Sequence, residues 1–185
     1  TDHPDHPILS DESEVIEEVI GDRLRDRGEK LAVAESLTGG LICSLVTSIP
    51  GASDYFDRGI VAYSNAAKQT DLGVSRESLD ASGAVSDAVA AEMARGIRDT
   101  ANTTWGISTT GIAGPTGGTP EKPVGLVYIG VAYAGPWGSQ SSFTRVDRHV
   151  FDGDRLAVTQ QSATQALIAL TDAIDSVDQT EEPTA

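Results

Sequence analysis

The stretch Leu31-Ala-Val-Ala-Glu-Ser36-Leu-Thr-Gly39-Gly40, followed by the apolar segment from Leu41 to Ile49, decides the fold of this chain. A short β-prone segment ends at Ser36, and a helix is predicted to begin at the turn that follows. The serine hydroxyl should therefore lie at the carboxyl end of a strand and face the positive end of a helix. In open α/β sheets, ligands bind at this place because free N–H groups attract anions and developing oxyanions. An ordinary helix cap would use the same residues, so this stretch alone leaves site and cap equally open.

Length and composition predict one compact domain. The chain has 185 residues, of which 39% are hydrophobic and 5% are aromatic, and no segment approaches the roughly 18 apolar residues that would span a bilayer. The first seven residues lack the basic start and apolar centre of a signal peptide. The single cysteine, Cys43, excludes an intrachain disulfide. We expect a cytoplasmic protein that has no membrane partner.

The charge balance is strongly acidic. Asp and Glu number 28 against 13 Lys and Arg, which gives a net charge of −15. Acids spread over the whole chain, with very few lysines, predict adaptation to a high-salt environment, and a merely acidic protein is the alternative. Such a field repels phosphates, so we expect no nucleic-acid partner. Because so few lysines are present, Lys68 and Lys122 are predicted to have defined structural or chemical roles.

Hydrophobic periodicity predicts alternating helices and strands. A helix capped by residues 10–13 and ended by Gly28 leads into this order: strand 31–35, helix 38–48, strand 58–64, helix 65–72, a helix from Ser86, strand 105–109, strands 125–134 and 139–150 as a hairpin, and helix 154–174. This order predicts a three-layer α/β/α sandwich with a mixed, mostly parallel sheet containing one antiparallel hairpin. We expect a flexible lead-in over residues 1–9, one domain over 10–176 and a loose acidic tail over 177–185.

The distribution of histidine and cysteine argues against two common kinds of site. Within the predicted domain the only histidine is His149, which lies late in the hairpin among charged residues and is predicted to be solvated. A Ser-His-Asp triad is therefore not favoured. One cysteine and one histidine also argue against a zinc site, so we expect no metal.

A different base could serve Ser36. Tyr63-Ser-Asn65-Ala-Ala-Lys68 lies where a predicted strand meets a helix. A lysine in a partly dry pocket can lose its proton near neutral pH and accept one from serine, and a tyrosine can relay a proton. An ordinary surface pair at this spacing is the alternative.

Two more segments could contribute to a site at the same edge of the sheet. Residues 108–118 contain a glycine-rich run after a strand, and glycines let the backbone approach a ligand closely. This run is neither a P-loop nor a dinucleotide motif. Arg155 lies at the start of the last predicted helix, where its charge opposes the helix dipole, so an anionic partner would explain its position.

These motifs together resemble the CinA C-terminal domain family, which includes nicotinamide-nucleotide amidases. The resemblance covers about residues 12–175 in order and spacing, and it is carried by residues 34–40, 63–68, 111–118, 122–125 and 151–155. It implies an α/β/α fold and hydrolysis of the carboxamide of nicotinamide mononucleotide to nicotinate mononucleotide and ammonia. The chain lacks the separate N-terminal domain of full-length CinA proteins, so we expect the stand-alone form.

The resemblance also implies roles for individual residues. Ser36 would attack the amide carbon, with Tyr63 and Lys68 activating it and protonating the leaving ammonia. The expected substrate-binding residues are Thr38, Gly39, Gly40, Asn65, Thr110, Gly111 and Arg155, the last meeting the nucleotide phosphate. No metal and no cofactor is implied. Leu37 stands where the family usually has cysteine, and we expect altered packing there and no loss of activity.

Two alternatives stay open at this point. One is a non-catalytic nucleotide-binding or regulatory module of the same family, and the other is an amidase for a different small amide. The sequence also leaves open whether Tyr63 or Lys68 is the direct base. We expect a small-molecule nucleotide substrate and a homo-oligomer of unspecified size.

Overall fold

A computed structural model describes residues 15–181. Its helices and strands follow one another in the order α1 (Ile16–Arg27), β1 (Leu31–Glu35), α2 (Leu41–Thr47), β2 (Phe56–Val61), α3 (Asn65–Leu72), α4 (Arg76–Ser82), α5 (Asp87–Ala101), β3 (Trp105–Gly111), β4 (Leu126–Tyr133), β5 (Phe143–Val150) and α6 (Arg155–Glu181). A 3-10 turn over Ala52–Asp54 precedes β2.

The strands form one mixed sheet in the order β2-β1-β3-β4-β5. Strand β1 is parallel to both of its neighbours, β2 and β3. Strand β4 is antiparallel to both β3 and β5. The mixed α/β fold and the predicted β4–β5 hairpin are confirmed. The β3–β4 pair is antiparallel as well, so only two of the four strand pairs are parallel, and by this measure the sheet is not mostly parallel as predicted. No helix separates β3 from β4, and a parallel pair would need such a crossover.

Helices cover both faces of this sheet. Leu31 and Val33 of β1 belong to a buried cluster that also contains residues of α1, α2 and α6. Ala32 and Ala34, which point the other way along the same strand, belong to a second cluster with residues of α3 and α5. The sheet is therefore the middle layer of three.

Helix α5 approaches the sheet and its neighbouring helix closely at glycines. A Cβ at Gly130 would lie 2.6 Å from the Ala90 carbonyl oxygen. A Cβ at Gly96 would collide with the carbonyl oxygen of Leu72 in α3. The Ser108 hydroxyl also donates to the Ala90 carbonyl at 2.7 Å. These contacts fix α5, and so they fix the segment before it that helps to form the cavity described below.

Several element boundaries differ from the sequence-based predictions. Helix α2 begins at Leu41 and not at Thr38, because Gly39 and Gly40 have φ of 59° and 105°, which is not helical. Strand β2 covers residues 56–61 and not 58–64, because Ser64 caps α3 by accepting from the Ala67 N–H at 3.0 Å. Strand β3 continues to Gly111, two residues beyond the prediction.

Further differences lie at the ends of the chain, in β5, which begins at Phe143 and not at residue 139, and in α4, which was not predicted. The predicted cap over residues 10–13 lies outside the described residues, and α1 begins at Ile16. Helix α6 continues to Glu181, so residues 177–181 belong to that helix and are not part of the expected loose tail. Ion pairs from Arg27 to Asp178 and Glu181 hold this last part of α6 against the end of α1.

Candidate active site

Ser36 lies directly after β1, at the carboxyl edge of the sheet. Its N–H donates to the Thr109 carbonyl of β3 at 3.1 Å, and its carbonyl accepts from the Gly39 N–H at 3.1 Å. These two bonds hold the turn that leads into α2. Because β1 lies between two parallel strands, Ser36 is in the kind of crevice where α/β proteins bind ligands.

Lys68 is the group in contact with the Ser36 hydroxyl. Its side-chain nitrogen Nζ lies 3.0 Å from Ser36 Oγ, and it donates to the main-chain carbonyls of Ala62 and Tyr63, both at 3.0 Å. The side chain is 1% exposed, and among residues 15–181 it forms no ion pair. Burial lowers the pKa of Lys68 from its ordinary value.

The three oxygens around Lys68 can accept from the three N–H groups of an ammonium, and they also allow a neutral amine. A neutral amine has two N–H groups and one lone pair, and carbonyl oxygens can only accept. When the two N–H groups serve the Ala62 and Tyr63 carbonyls, the lone pair faces Ser36 Oγ. The capped start of α3 supports this arrangement, since Lys68 lies one turn after Ser64 and its side chain projects back toward the end of β2.

Tyr63 contributes to the site in a different way. Its side chain is 60% exposed, and its hydroxyl accepts from Arg155 Nη2 at 3.0 Å. Arg155 also donates from Nη1 to the Gly114 carbonyl at 2.7 Å. Tyr63 and Lys68, which were expected to act together in proton transfer, have different partners: Lys68 contacts Ser36, and the Tyr63 hydroxyl contacts Arg155.

One cavity brings together most of the predicted residues. It has a volume of about 160 Å³ and is lined by Ser36, Leu37, Tyr63, Lys68, Ala84, Val85, Thr110, Gly111, Ala113 and Arg155. A second cavity of about 720 Å³ shares Ala113 and Arg155 with it. Arg155 thus stands where a small chamber beside Ser36 meets a larger space.

Four predicted substrate-binding residues do not line this chamber. Thr38 is buried with its hydroxyl 2.8 Å from that of Thr109, so it points toward β3. Gly39 and Gly40 form the turn into α2, and Asn65 is exposed on the first turn of α3. Thr110 does line the chamber, and its hydroxyl donates to the Ala84 carbonyl at 2.7 Å.

Sequence reasoning missed several residues of the site. Ala84 and Val85 line the chamber, and their position before the α5 cap Ser86 was the available signal. Glu35 is fully buried, and a carboxylate that ends an apolar strand was the signal there. Lys122 was not missed, because the rarity of lysine had predicted a defined role for it: its Nζ donates to the Ser82 carbonyl at the end of α4 and so links the segment before β4 to the one containing Ala84.

Other candidate chemistry lies away from the chamber. His149 is on β5, where its ring stacks on that of Phe151 at 5.2 Å between centroids. The prediction that it is solvated is wrong, because the residue is half-buried and its Nε2 is buried with no hydrogen-bond partner among residues 15–181. Within residues 15–181 no group of three or more His, Cys, Asp or Glu side chains is arranged to hold a metal ion. None of the helices in this range is both long enough and apolar enough to cross a membrane.

Comparison with known proteins gives a consistent result. The family model described as "CinA C-terminal domain" matches residues 13–174. A CinA-like protein of Nostoc sp. is 51% identical over 155 residues, which cover 80% of this chain and 36% of that protein. A CinA-like protein of Salinibacter ruber is 49% identical over 152 residues, which cover 82% of this chain and 35% of that protein. The chain therefore spans little more than a third of the length of these relatives.

Solved structures agree with the sequence matches. The competence/damage inducible protein CihA of Agrobacterium tumefaciens superposes with a TM-score of 0.80 at 35% identity, covering 90% of this chain and 99% of that one. A CinA superfamily protein of Klebsiella pneumoniae gives a TM-score of 0.80 at 31% identity, covering 87% of this chain and 96% of that one. Both likenesses extend over nearly the whole of the solved chain.

Proposed function

The chain belongs to the CinA C-terminal domain family, and on that premise we propose that it hydrolyses the carboxamide of nicotinamide mononucleotide to nicotinate mononucleotide and ammonia. The observation that carries the proposal is the 3.0 Å contact between Ser36 Oγ and the buried Lys68 amine. A lysine that only bound an anionic ligand would not need to contact a serine hydroxyl, whereas a nucleophilic serine needs a base at this distance.

The chemistry begins with proton transfer from Ser36 to Lys68. The neutral amine accepts the hydroxyl proton as Oγ attacks the amide carbon, which leaves a tetrahedral oxyanion and a Lys68 ammonium. The N–H groups of Leu37 and Thr38, in the turn after the nucleophile, are the candidates to stabilise that oxyanion. Lys68 then returns the proton to the leaving nitrogen, and ammonia departs with cleavage of the C–N bond. Water hydrolyses the resulting ester, with Lys68 again as the base.

Because Tyr63 and Lys68 contact different groups, we assign a different role to each. We assign the proton transfers to Lys68, because it is the one in contact with Ser36. Tyr63 forms the wall of the chamber, and its hydroxyl holds the Arg155 guanidinium. To Arg155, which lines both the chamber and the larger cavity, we assign the binding of the phosphate of a nucleotide whose carboxamide lies beside Ser36.

The direct test is ammonia release from nicotinamide mononucleotide. We expect turnover by the wild type and a loss of at least about 10³-fold in Ser36→Ala, the order lost when a nucleophile is deleted. Ser44→Ala, which removes an exposed hydroxyl of α2, should keep the wild-type rate. Near-normal turnover in Ser36→Ala would exclude a covalent serine mechanism.

The same assay separates the alternatives. A wild type that binds the nucleotide without releasing ammonia would be a regulatory module. A wild type that hydrolyses other primary amides at a higher kcat/KM would be an amidase with a different substrate.

A further inference from the structure

Glu35 is a buried carboxylate that the proposed chemistry does not use. It is the last residue of β1, its exposure is 0%, and it directly precedes Ser36. Its Oε1 accepts from the Ile42 N–H at 2.9 Å and its Oε2 from the Cys43 N–H at 3.1 Å. Among residues 15–181 it forms no ion pair, so the first turn of α2 is its partner.

The two hydrogen bonds of the Glu35 side chain connect the end of β1 to the start of α2, across the turn that contains Ser36. The backbone of Glu35 is paired within the sheet to Val61 of β2 and Thr109 of β3. Its side chain accepts a hydrogen bond from Ile42, seven residues later in the chain, at the start of α2. Residues 36–41 are therefore held at one end by the sheet and at the other end by the Glu35 carboxylate.

We propose that Glu35 is a positioning residue that sets the placement of Ser36 and of the turn after it, a role that rests on the proposed amidase function. Deleting either bond would let α2 and the turn move relative to β1. Misplacement of a reacting group by about 1 Å can cost on the order of 10²-fold in rate. The effect should fall on kcat, because Glu35 does not line the chamber.

The electrostatics assign Glu35 this role and not that of a base. Its two carboxyl oxygens lie at the N-terminus of α2, where they accept from N–H groups that have no partner within the helix. The hydrogen bonds that Lys68 makes all go to uncharged groups, namely Ser36 and two carbonyls. Burial alone accounts for the lowered pKa of Lys68. Neutralising Glu35 should consequently leave the ionisation of Lys68 where it is.

The test is Glu35→Gln with Glu92→Gln as its matched control. A glutamine keeps the size of Glu35, but its NH₂ group would face one of the two N–H donors, so one bond is lost. Glu92 likewise accepts at a helix start, from the Ser75 N–H at 3.1 Å and from the Ser75 and Ser78 hydroxyls at 3.0 and 2.9 Å, and it does not line the chamber. We expect Glu35→Gln to lower kcat about 10- to 100-fold with little change in KM, and Glu92→Gln to keep the wild-type kcat.

Two further readouts make the proposal falsifiable. The acidic limb of the pH–rate profile should stay in place in Glu35→Gln, and a shifted limb would show coupling to Lys68 and overturn a pure positioning role. Amide hydrogen exchange of residues 36–43 should become faster in Glu35→Gln while β1 keeps its protection. Unchanged exchange, or a kcat equal to that of the control at a temperature where both variants are folded, would overturn the proposal.

The exchange measurement also separates this proposal from the amidase function. If the wild type releases no ammonia from any amide tested, the proposed function fails. The exchange of residues 36–43 then still decides whether Glu35 holds the turn.

Discussion

At the scale of single residues, the ionisation of Lys68 makes the stability of the protein depend on pH. Burial lowers its pKa below the ordinary 10.5, so between the folded and unfolded pKa values the unfolded chain binds more protons. The free energy of unfolding therefore rises with pH in that window. The burial penalty is complete below the folded pKa and disappears above 10.5.

Comparison with Lys68→Met isolates this effect. Methionine is close in length and does not titrate, so other groups cancel in the difference between the two proteins. We expect the wild type to gain stability relative to Lys68→Met as the pH rises from 7 toward 10, measured by denaturant unfolding at constant ionic strength. A difference that stays constant with pH would mean that Lys68 keeps its ordinary pKa.

Arg155 is predicted to distinguish a nucleotide from a nucleoside. Replacing it with alanine should raise KM for nicotinamide mononucleotide far more than for the riboside, since only the nucleotide offers a phosphate for paired hydrogen bonds. Steady-state kinetics on both substrates measure this, with Arg148→Ala on the exposed side of β5 as the control. Equal effects on the two substrates would show that Arg155 does not contact the phosphate.

The sequence predicted which residues line the candidate chamber better than it predicted their contacts. Ser36 and Lys68 were identified because a hydroxyl after a strand and a rare lysine at a helix start are local signals. The contact of the Tyr63 hydroxyl with Arg155, 92 positions away, depends on how α6 is placed and has no local signal. The inward turn of Thr38 toward Thr109 is likewise a tertiary contact.

At the scale of helices and strands, Gly96 of α5 gives a test in which two effects have opposite signs. Helix propensity alone predicts that Gly96→Ala stabilises the protein by about 1 kcal/mol. The added Cβ would, however, collide with the Leu72 carbonyl of α3, and overpacking of this kind costs about 1–3 kcal/mol or more. We expect net destabilisation, because a backbone carbonyl cannot move aside as a flexible side chain can.

Chemical unfolding of three variants measures this balance. Arg95→Ala compared with Arg95→Gly, at an exposed interior position of the same helix, gives the size of the propensity effect without a collision. If Gly96→Ala proves as stable as the wild type or more stable, the close approach of α5 to α3 is wrong.

Elements with a strong pattern were predicted well and weakly patterned ones were not. The bounds of β1 and α3 were predicted as the structure has them, because an apolar run and a Ser-capped helix ended by glycine are clear signals. Helix α4 was missed, since its seven residues include no buried residue and so show no apolar face. The antiparallel β3–β4 pair was also not predicted, although the absence of a helix between the two strands was a signal for it.

At the scale of the whole molecule, the net charge of −15 is the dominant property. Screening of repulsion between acidic groups should raise the melting temperature as KCl increases, because the Debye length falls from about 10 Å at 0.1 M to about 3 Å at 1 M. Thermal melts in KCl, compared with melts in a non-ionic osmolyte of equal osmolality, measure this. A flat or falling midpoint in KCl would remove the high-salt interpretation and leave the amidase proposal untouched.

The two oxygens that hold the Lys68 amine, those of Ala62 and Tyr63, belong to the main chain. Every amino acid supplies such a carbonyl, so exchanging the side chains at these positions leaves those two acceptors in place. Besides the polar side chains of Tyr63, Thr110 and Arg155, the walls of the chamber include four small or apolar side chains, those of Leu37, Ala84, Val85 and Ala113. In laboratory evolution, a mutant library at these four positions would change which acyl group fits the chamber. No substitution in that library would remove the Ser36–Lys68 pair.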